Sequence, residues 1–269
     1  TGVGMPVNGT GSSISFGLIT APGTYTVKGV NTATGCINTM SSSTTVGVNP
    51  LPTVYFVTGG GTYCAGGSGF PILLSNSASG VNYQLFRGTT PVGGAVAGTT
   101  GSGLNFGLQT TAGSYTVKAT DAVTGCTNTM SGVITISVNP VPASFNVTGG
   151  GNYCVGGSGV HIGLTGSVIG INYQLYNGLT AVGAPLPGST FALDFGFQTA
   201  AGTYTVKAVN AATGCSSVMN GSAVININSV PAAYAVTGGG SFCAGGAGVQ
   251  IGLSSSDAGV NYQLYVGTS

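Results

Sequence analysis

The sequence repeats itself with a period of about ninety residues, and this restricts the possible folds more than any other feature. Each period carries the motif Val-Thr-Gly-Gly-Gly-x-(Tyr/Phe)-Cys, and a Thr-Gly-Cys motif later in the period. We call the cysteines of the first motif early cysteines and those of the second late cysteines. The early cysteines are Cys64, Cys154 and Cys243, and the late cysteines are Cys36, Cys126 and Cys215. Such a chain is expected to form an array of similar small modules.

The periods divide the chain into four segments. A proline-containing joint closes each period, at 49–52, 139–142 and 228–231. We therefore predict complete repeats at 52–141 and 142–231, the later part of a repeat at 1–51, and the earlier part of another at 232–269. Reading from the end of the chain into its beginning restores one repeat in register. Either the chain is a stretch of a longer covalent array, or separate subunits join head to tail and complete one another's repeats.

Within a period, short alternating segments are separated by Gly, Asn and Ser, which is typical of strands and turns. In the first complete repeat we predict strands at 54–59, 69–75, 81–87, 91–97, 104–109, 114–120 and 132–138. Seven short strands in about ninety residues fit a β-sandwich. Tyr115 and Val117 should face inward opposite Phe106 and Leu108, whereas Thr116 and Lys118 should face solvent.

Charged residues make up only 3% of the chain, which carries four Lys and Arg against three acidic residues. So few charges exclude the basic surface that nucleic-acid binding requires, and no apolar run is long enough for membrane insertion. Regularly placed cysteines in Gly-rich sequence indicate an oxidising, extracellular setting.

Three stretches of the first complete repeat carry a family resemblance: 64–69 (Cys-Ala-Gly-Gly-Ser-Gly), 113–117 (Gly-Ser-Tyr-Thr-Val) and 121–126, which ends in Cys126. They resemble the immunoglobulin-like repeats of large Bacteroidota-type surface adhesins and filaments, including gliding-adhesin and polycystic-kidney-disease-like modules. The resemblance covers all three periods. It implies an all-β fold of tandem immunoglobulin-like β-sandwich repeats, strung as beads along a rod or filament at the cell surface. Many adhesin repeats bind calcium through clustered acids, but acids are scarce here, so we predict no metal.

The resembled modules carry one early and one late cysteine each, which implies disulfides within a repeat, Cys64 with Cys126 and Cys154 with Cys215. Simple topology opposes this, because the two loops lie at opposite ends of a regular sandwich, beyond the Cα separation that a disulfide allows. The alternative is a bond between consecutive repeats, Cys64 with Cys215. A bond between Cys36 and Cys64 fits an extended rod least. If subunits join head to tail, Cys36 and Cys243 become candidates for a disulfide between them.

No catalytic, cofactor or metal site is predicted. His161 is the only histidine, and Pro71 and Gln250 take its place in the other periods, so no repeated chemistry depends on it. Lys118 and its counterparts Lys28 and Lys207 do recur, and we interpret them as charges on an edge strand that discourage unwanted pairing.

These observations favour a structural function over an enzymatic one. We expect a component of an extracellular fibre or cell-surface adhesin stalk whose partners are copies of itself, joined head to tail and able to bundle laterally. The alternative is a repeated module that binds carbohydrate or another surface through exposed tyrosines, with surface glycans as partners. The candidate tyrosines are Tyr83, Tyr173 and Tyr262, and burial of their rings would argue against that alternative.

Overall fold

The computed structural model describes residues 1–267, and every regular element in it is a β-strand. Among these residues no helix of sufficient length and apolarity to span a membrane occurs. The chain divides into two compact units. One comprises Thr1–Tyr63 with Gly67–Val138, and the other comprises Cys64–Gly66 with the chain from Asn139 onward. The bounds of the four repeat segments stay a prediction, and the segments keep their predicted residue ranges as names below.

The N-terminal segment, 1–51, forms two short antiparallel pairs. Strand β1 pairs with β4, and β2 pairs with β3. The strands are β1 (Gly23–Tyr25), β2 (Lys28–Val30), β3 (Ile37–Thr39) and β4 (Thr44–Val46).

The first complete repeat, 52–141, contains two sheets. The smaller has the order β10-β7-β5, and the larger has the order β6-β13-β11-β8-β9, with β12 also paired to β11. The strands are β5 (Val57–Gly59), β6 (Gly61–Cys64), β7 (Phe70–Leu74), β8 (Val81–Arg87), β9 (Thr90–Ala97), β10 (Leu104–Gln109), β11 (Gly113–Asp121), β12 (Thr127–Thr129) and β13 (Ile134–Asn139).

The second complete repeat, 142–231, has the same two sheets, in the orders β14-β16-β19 and β15-β22-β20-β17-β18, with β21 paired to β20. Its strands are β14 (Val147–Gly149), β15 (Gly151–Cys154), β16 (Val160–Leu164), β17 (Ile171–Asn177), β18 (Thr180–Pro187), β19 (Leu193–Gln198), β20 (Gly202–Asn210), β21 (Ser216–Val218) and β22 (Ala223–Asn228). In the C-terminal segment, β23 (Val236–Gly238) pairs antiparallel with β24 (Ile251–Leu253).

One apolar core lies between the two sheets of each complete repeat. In the first, Ile72 and Leu74 from the smaller sheet join Tyr83, Leu85 and Val117 from the larger. The buried residues alternate along each strand, because successive side chains of a strand point to opposite faces. Two sheets that share one core define a β-sandwich, as the sequence predicts.

The inward positions of strand β11 were predicted correctly, but one opposite position was wrong. Tyr115 and Val117 are buried and Phe106 packs against them, whereas Leu108 is exposed. The pairing of β10 with β7 shifts register between Asn105 and Leu108. A β-bulge of this kind breaks the alternation of sides, so it turns Leu108 out to solvent.

The interpretation of the recurring lysines is also wrong. Lys118 lies on β11, opposite Gln84 of β8 on one side and Thr129 of β12 on the other. Strand β11 is therefore a central strand of its sheet, and the lysine occupies its solvent face rather than an unpaired edge.

A tyrosine at the start of the same strand identifies the sandwich as immunoglobulin-like. The hydroxyl of Tyr115 donates to the carbonyl oxygen of Thr111, four residues earlier, at 2.7 Å. Tyr204 donates in the same way to Ala200, and Tyr25 to Ala21. This bond back to the preceding loop is the tyrosine corner of immunoglobulin-like sandwiches. The fold class predicted from the sequence is thus confirmed.

The chain crosses from the smaller sheet to the larger at the triple glycine. Strand β5 belongs to the smaller sheet and ends at Gly59, whereas β6 belongs to the larger sheet and begins at Gly61, so Gly60 alone separates them. All three have positive φ, and a Cβ added at Gly59 would clash with the carbonyl oxygen of Pro71. Only glycine tolerates both constraints. The sequence indicated turn geometry here but not the short strand β6 that follows.

Candidate functional site

The chemically distinctive feature of the chain is a disulfide between Cys64 and Cys215. Their Cα atoms lie 5.5 Å apart, within the usual range for a disulfide. The bond joins the early cysteine of one sequence repeat to the late cysteine of the next, across 151 residues of sequence. Cys215 is 1% exposed, so its half of the bond is protected from solvent.

This pairing corrects the expectation of bonds within a repeat. Cys64 does not bond Cys126, and Cys154 does not bond Cys215, because Cys64 and Cys215 bond each other. The alternative drawn from topology, a bond between consecutive repeats, is the one in the structure. The strand register gives the physical reason: Cys64 lies beside Asn139, at the end of the sheet where β11 begins, whereas Cys126 lies at the opposite end, where β11 finishes.

The same capped turn precedes each of the three late cysteines. In the turn before Cys215, the Oδ1 atom of Asn210 accepts hydrogen bonds from the backbone N–H groups of Ala212 and Thr213, at 2.9 and 3.0 Å. The backbone N–H of Asn210 in turn donates to the carbonyl oxygen of Cys215 at 2.8 Å. A side chain that caps its own turn in this way fixes the backbone locally.

The other two late cysteines lie in the same turn. Asp121 takes the part of Asn210 before Cys126, and Asn31 takes it before Cys36. Hydrogen bonds from the backbone N–H groups of Thr124 and Val123 hold the pKa of Asp121 below its ordinary value. The turn therefore forms with either an amide or a carboxylate, which marks Asp121 as a structural residue.

Cys64 and Cys154 each end a strand of the larger sheet of their repeat, whereas Cys243 lies outside the assigned strands. After Cys64, the backbone N–H of Ala65 donates to the carbonyl oxygen of Asn139 at 2.8 Å. After Cys154, Val155 donates to Asn228 at 2.9 Å, and β15 runs parallel to β22. A tyrosine in the same strand also forms a hydrogen bond. The hydroxyl of Tyr63 donates to the carbonyl oxygen of Thr110, and that of Tyr153 donates to the carbonyl oxygen of Thr199.

Four cysteines remain as free thiols. Cys36, Cys154 and Cys243 are exposed, and Cys126 is partly exposed. Each occupies a position equivalent to one half of the Cys64–Cys215 bond. The repeated motifs therefore provide further cysteines at positions equivalent to Cys64 and Cys215, which could form disulfides of the same kind.

The N-terminal segment exposes side chains that the complete repeats bury. Val27 is 38% exposed, whereas Val117, its equivalent one period later, is 0% exposed. Met40 is likewise exposed and its equivalent Met130 buried. The segment has the strand pairs of the later half of a sandwich but lacks the smaller sheet that would cover them.

The C-terminal segment exposes the other half of the same core. Ile251 is 50% exposed and its equivalent Ile162 is 0% exposed, while Leu264 is 60% exposed and its equivalent Leu175 is 1% exposed. In the complete repeats, these positions are covered by strands whose sequence equivalents lie in the N-terminal segment. The two segments therefore expose complementary halves of one sandwich core.

The tyrosines proposed as carbohydrate platforms are core residues in the complete repeats. The rings of Tyr83 and Tyr173 are fully buried, and each hydroxyl accepts a backbone hydrogen bond, from Ala78 and Val168 respectively. Burial raises the pKa of Tyr83, an effect only partly opposed by the hydrogen bond from Ala78. Tyr262 is 43% exposed, as expected in an incomplete repeat. The residue basis for the glycan-binding alternative is thus lost in both complete repeats.

His161 contributes to a surface ion pair rather than to a reactive site. Its Nδ1 atom lies 2.8 Å from Oδ2 of Asp194, and its ring packs against Phe197, with 3.8 Å between centroids. The hydrogen bond from His161 is the main cause that lowers the pKa of Asp194, and a second comes from the backbone N–H of Gly196. Both side chains are exposed at the surface. Among residues 1–267, no three His, Cys, Asp or Glu side chains cluster as metal ligands would.

Comparisons with known proteins support no closer assignment than the fold. No family model matches the chain, and no curated protein matches it. Solved structures similar to it include the human OSCAR ligand-binding domain, at 16% identity and a TM-score of 0.28 over 65% of this chain and all of that one. Murine CEACAM1b is similar at 15% identity and a TM-score of 0.33, over 64% of this chain and all of that one.

A bacterial example is the fibronectin(III)-like modules of Clostridium thermocellum CbhA, at 14% identity and a TM-score of 0.33, over 65% of this chain and 95% of that one. With TM-scores this low, these are resemblances only. The assignment of an immunoglobulin-like sandwich comes from the strand order, the shared core and the tyrosine corner.

Proposed function

We propose that the chain is a non-catalytic structural unit of an extracellular fibre or cell-surface adhesin stalk. Its immunoglobulin-like repeats follow one another head to tail. The C-terminal segment of one copy and the N-terminal segment of a second copy form one shared sandwich at each junction. The observation that carries this proposal is the exposure, at the two segments, of complementary halves of a core that the complete repeats bury.

The burial energy available is comparable with the cost of forming such a junction. Full burial of one Val, Leu, Ile or Met side chain contributes about 1.5–3 kcal/mol. At least six exposed side chains have buried equivalents: Val27, Met40, Ile251, Leu253, Tyr262 and Leu264. Because these side chains are only 37–60% exposed, closing the shared core would contribute roughly 4–9 kcal/mol, in the same range as the about 4–15 kcal/mol that association costs.

The surface chemistry is compatible with close packing of many units. Charged residues make up 3% of the chain, so neighbouring rods repel one another weakly. We include lateral bundling in the proposal for this reason. The disulfide supports an oxidising, extracellular location. The resemblance to Bacteroidota-type adhesin repeats belongs to the same proposal, as the source of the surface role.

The proposal is tested by self-association of the purified full chain. We expect unbranched filaments in negative-stain electron microscopy, and a sedimentation distribution that shifts to larger species as the concentration rises. The variant Val27→Asp should abolish both, because it places a carboxylate where the shared core closes. Leu18→Asp is the matched control, since Leu18 is exposed and its equivalents Leu108 and Phe197 stay exposed in complete repeats.

Monomers at every concentration tested would overturn the proposal. Filaments that form equally well from Val27→Asp would do the same, because assembly would then not use the exposed core.

A further inference from the structure

We propose that each junction between copies is locked by two disulfides, Cys154 of one copy with Cys36 of a second copy, and Cys243 of the first with Cys126 of that second copy. The proposal extends the pairing of Cys64 with Cys215 to the four free cysteines. It rests on the proposed function, since it requires the two incomplete segments to form one repeat.

The pairing rule follows from the bond that the structure contains. Cys64 and Cys215 are the early cysteine of one repeat and the late cysteine of the following repeat. The rule assigns Cys154 to the late cysteine of the repeat after 142–231. At a junction that repeat is the shared one, and its late cysteine is Cys36 of the second copy.

The same rule assigns the remaining pair. Cys243 is the early cysteine of the shared repeat, and the repeat that follows is 52–141 of the second copy. Its late cysteine is Cys126. Every free cysteine of a copy inside the fibre thus receives one partner.

The complete repeats argue against the simpler bond between Cys36 and Cys243. Those two residues would be the early and late cysteines of one and the same repeat. Within each complete repeat the corresponding pairs, Cys64 with Cys126 and Cys154 with Cys215, are not bonded. A shared repeat with the same fold keeps its own two cysteines apart for the same reason.

The local backbone around three of the four free cysteines, Cys36, Cys126 and Cys154, already has the bonded geometry. The N–H group after Cys154 is bonded to Asn228 as the one after Cys64 is bonded to Asn139. In the late turns, Asn31 donates to the carbonyl oxygen of Cys36 at 2.9 Å, as Asn210 donates to that of Cys215 at 2.8 Å. Both kinds of half-site therefore occur preformed in the single chain, so that bond formation needs the two copies to meet in the presence of an oxidant.

Formation of each bond requires an oxidant, which we take to be a small-molecule or protein disulfide. One cysteine thiolate attacks the oxidant, forms a mixed disulfide and releases one thiolate. The second cysteine thiolate then attacks the protein sulfur of the mixed disulfide and releases the other. The two protein thiols are oxidised by two electrons, the oxidant disulfide is reduced to two thiols, and the two protons of the protein thiols end on them or in solvent.

The test is disulfide mapping of filaments assembled from a mixture of isotope-labelled and unlabelled full chain in the presence of oxidised glutathione. After alkylation and proteolysis without reductant, we expect peptides that join Cys154 to Cys36 and Cys243 to Cys126, with labelled and unlabelled halves combined. The Cys64–Cys215 peptide should carry one label throughout and serves as the internal control. Peptides that join Cys36 to Cys243 would overturn the pairing.

Two variants separate the same alternatives by non-reducing electrophoresis after boiling in detergent. Cys36→Ser should still give a ladder of covalent oligomers, because the Cys243–Cys126 bond remains. The double variant Cys36→Ser with Cys126→Ser should collapse to monomer. Collapse of the single variant would show that Cys36 and Cys243 are each other's partner, and would overturn the proposal.

Failure of this proposal is distinguishable from failure of the proposed function. Filaments that form in the microscope but keep four reduced thiols per chain would refute the disulfides and leave the fibre. An absence of filaments in both reducing and oxidising buffer would refute both.

Discussion

The complete repeats and the two terminal segments share nearly the same sequence motifs, yet they differ in burial. Strands β1 and β4 pair as the first residues of β11 pair with β13, and β23 pairs with β24 as β14 pairs with β16. The inward-facing side chains of these strands are nevertheless more exposed in the segments than in the repeats: Ile251 is 50% exposed and Ile162 is 0% exposed, and Tyr25 is partly exposed whereas Tyr115 is buried. Strand pairing is thus fixed locally, whereas burial requires both sheets of a sandwich to be present.

The complete repeats and the C-terminal segment also differ in the hydrogen bond beside the early cysteine. Tyr63 and Tyr153 donate a hydrogen bond across the sandwich from the strand that carries the cysteine. In the C-terminal segment the equivalent residue is Phe242, which has no hydroxyl and is exposed. A repeat completed by a second copy, as we propose, would lack this hydrogen bond, which both complete repeats have.

The largest expected effect tests the difference in burial at one equivalent position. Tyr83→Ala should lower the free energy of unfolding of the first unit by about 3–5 kcal/mol, because it empties a fully buried site. Tyr262→Ala should cost less than about 1 kcal/mol in the unassembled chain, since its ring is already part-exposed. Guanidinium unfolding followed by tyrosine fluorescence measures both, and equal losses would contradict the comparison.

The second effect concerns the one bond between successive repeats. Replacing both Cys64 and Cys215 by Ser should lower the free energy of unfolding by about 2–4 kcal/mol, because the unfolded chain loses its cross-link. Replacing both Cys126 and Cys154 by Ser is the matched control and should leave it unchanged, since neither forms a bond in the single chain. The measurement is thermal unfolding of unassembled chain, and a comparable loss in the control would refute the pairing.

The third effect isolates packing at the middle glycine of the triple-glycine motif. Gly150 and Gly239 have nearly equal φ values, 79° and 81°, so alanine strains the backbone by about 1–2 kcal/mol at either site. A Cβ at Gly150 would also lie 2.7 Å from the carbonyl oxygen of Val224, whereas at Gly239 it meets nothing within 4 Å. We expect Gly150→Ala to be more destabilising by about 1–3 kcal/mol. Chemical denaturation of the two variants checks this, and no difference would mean that the site relaxes.

The smallest effect is a difference in pH dependence between the late-cysteine turns. The pKa of Asp121 is lowered in the folded chain, so its stabilising contribution is present above the unfolded pKa of about 4 and is lost as the pH falls through the lower folded value. Asp121→Asn should remove that loss while keeping the turn, because Asn210 forms the same turn. Unfolding midpoints compared between pH 7 and pH 2 test this. A variant as acid-sensitive as the parent would contradict the role of Asp121.

The strands β8 and β10 of the first complete repeat were predicted residue for residue, and most others to within about two residues, because alternation and turn residues are properties of the local sequence. The wrong or missing predictions concern features that the local sequence pattern does not reveal. Strands β6 and β12 were both missed: β6 has four residues and begins at the last of three glycines, and β12 has three residues, so their patterns are too brief to recognise. The exposure of Leu108 depends on a bulge, and the central place of Lys118 depends on which strands lie beside β11; neither pairing is encoded in neighbouring residues.

The sequence by itself determined the period, the class of module and the inward-facing residues of β11, since these follow from repetition and from the two-residue period of a strand. Only the tertiary structure decided which cysteines bond and which tyrosines are buried. Both depend on distances between residues far apart in sequence, and those distances exist only once two sheets have closed on a common core.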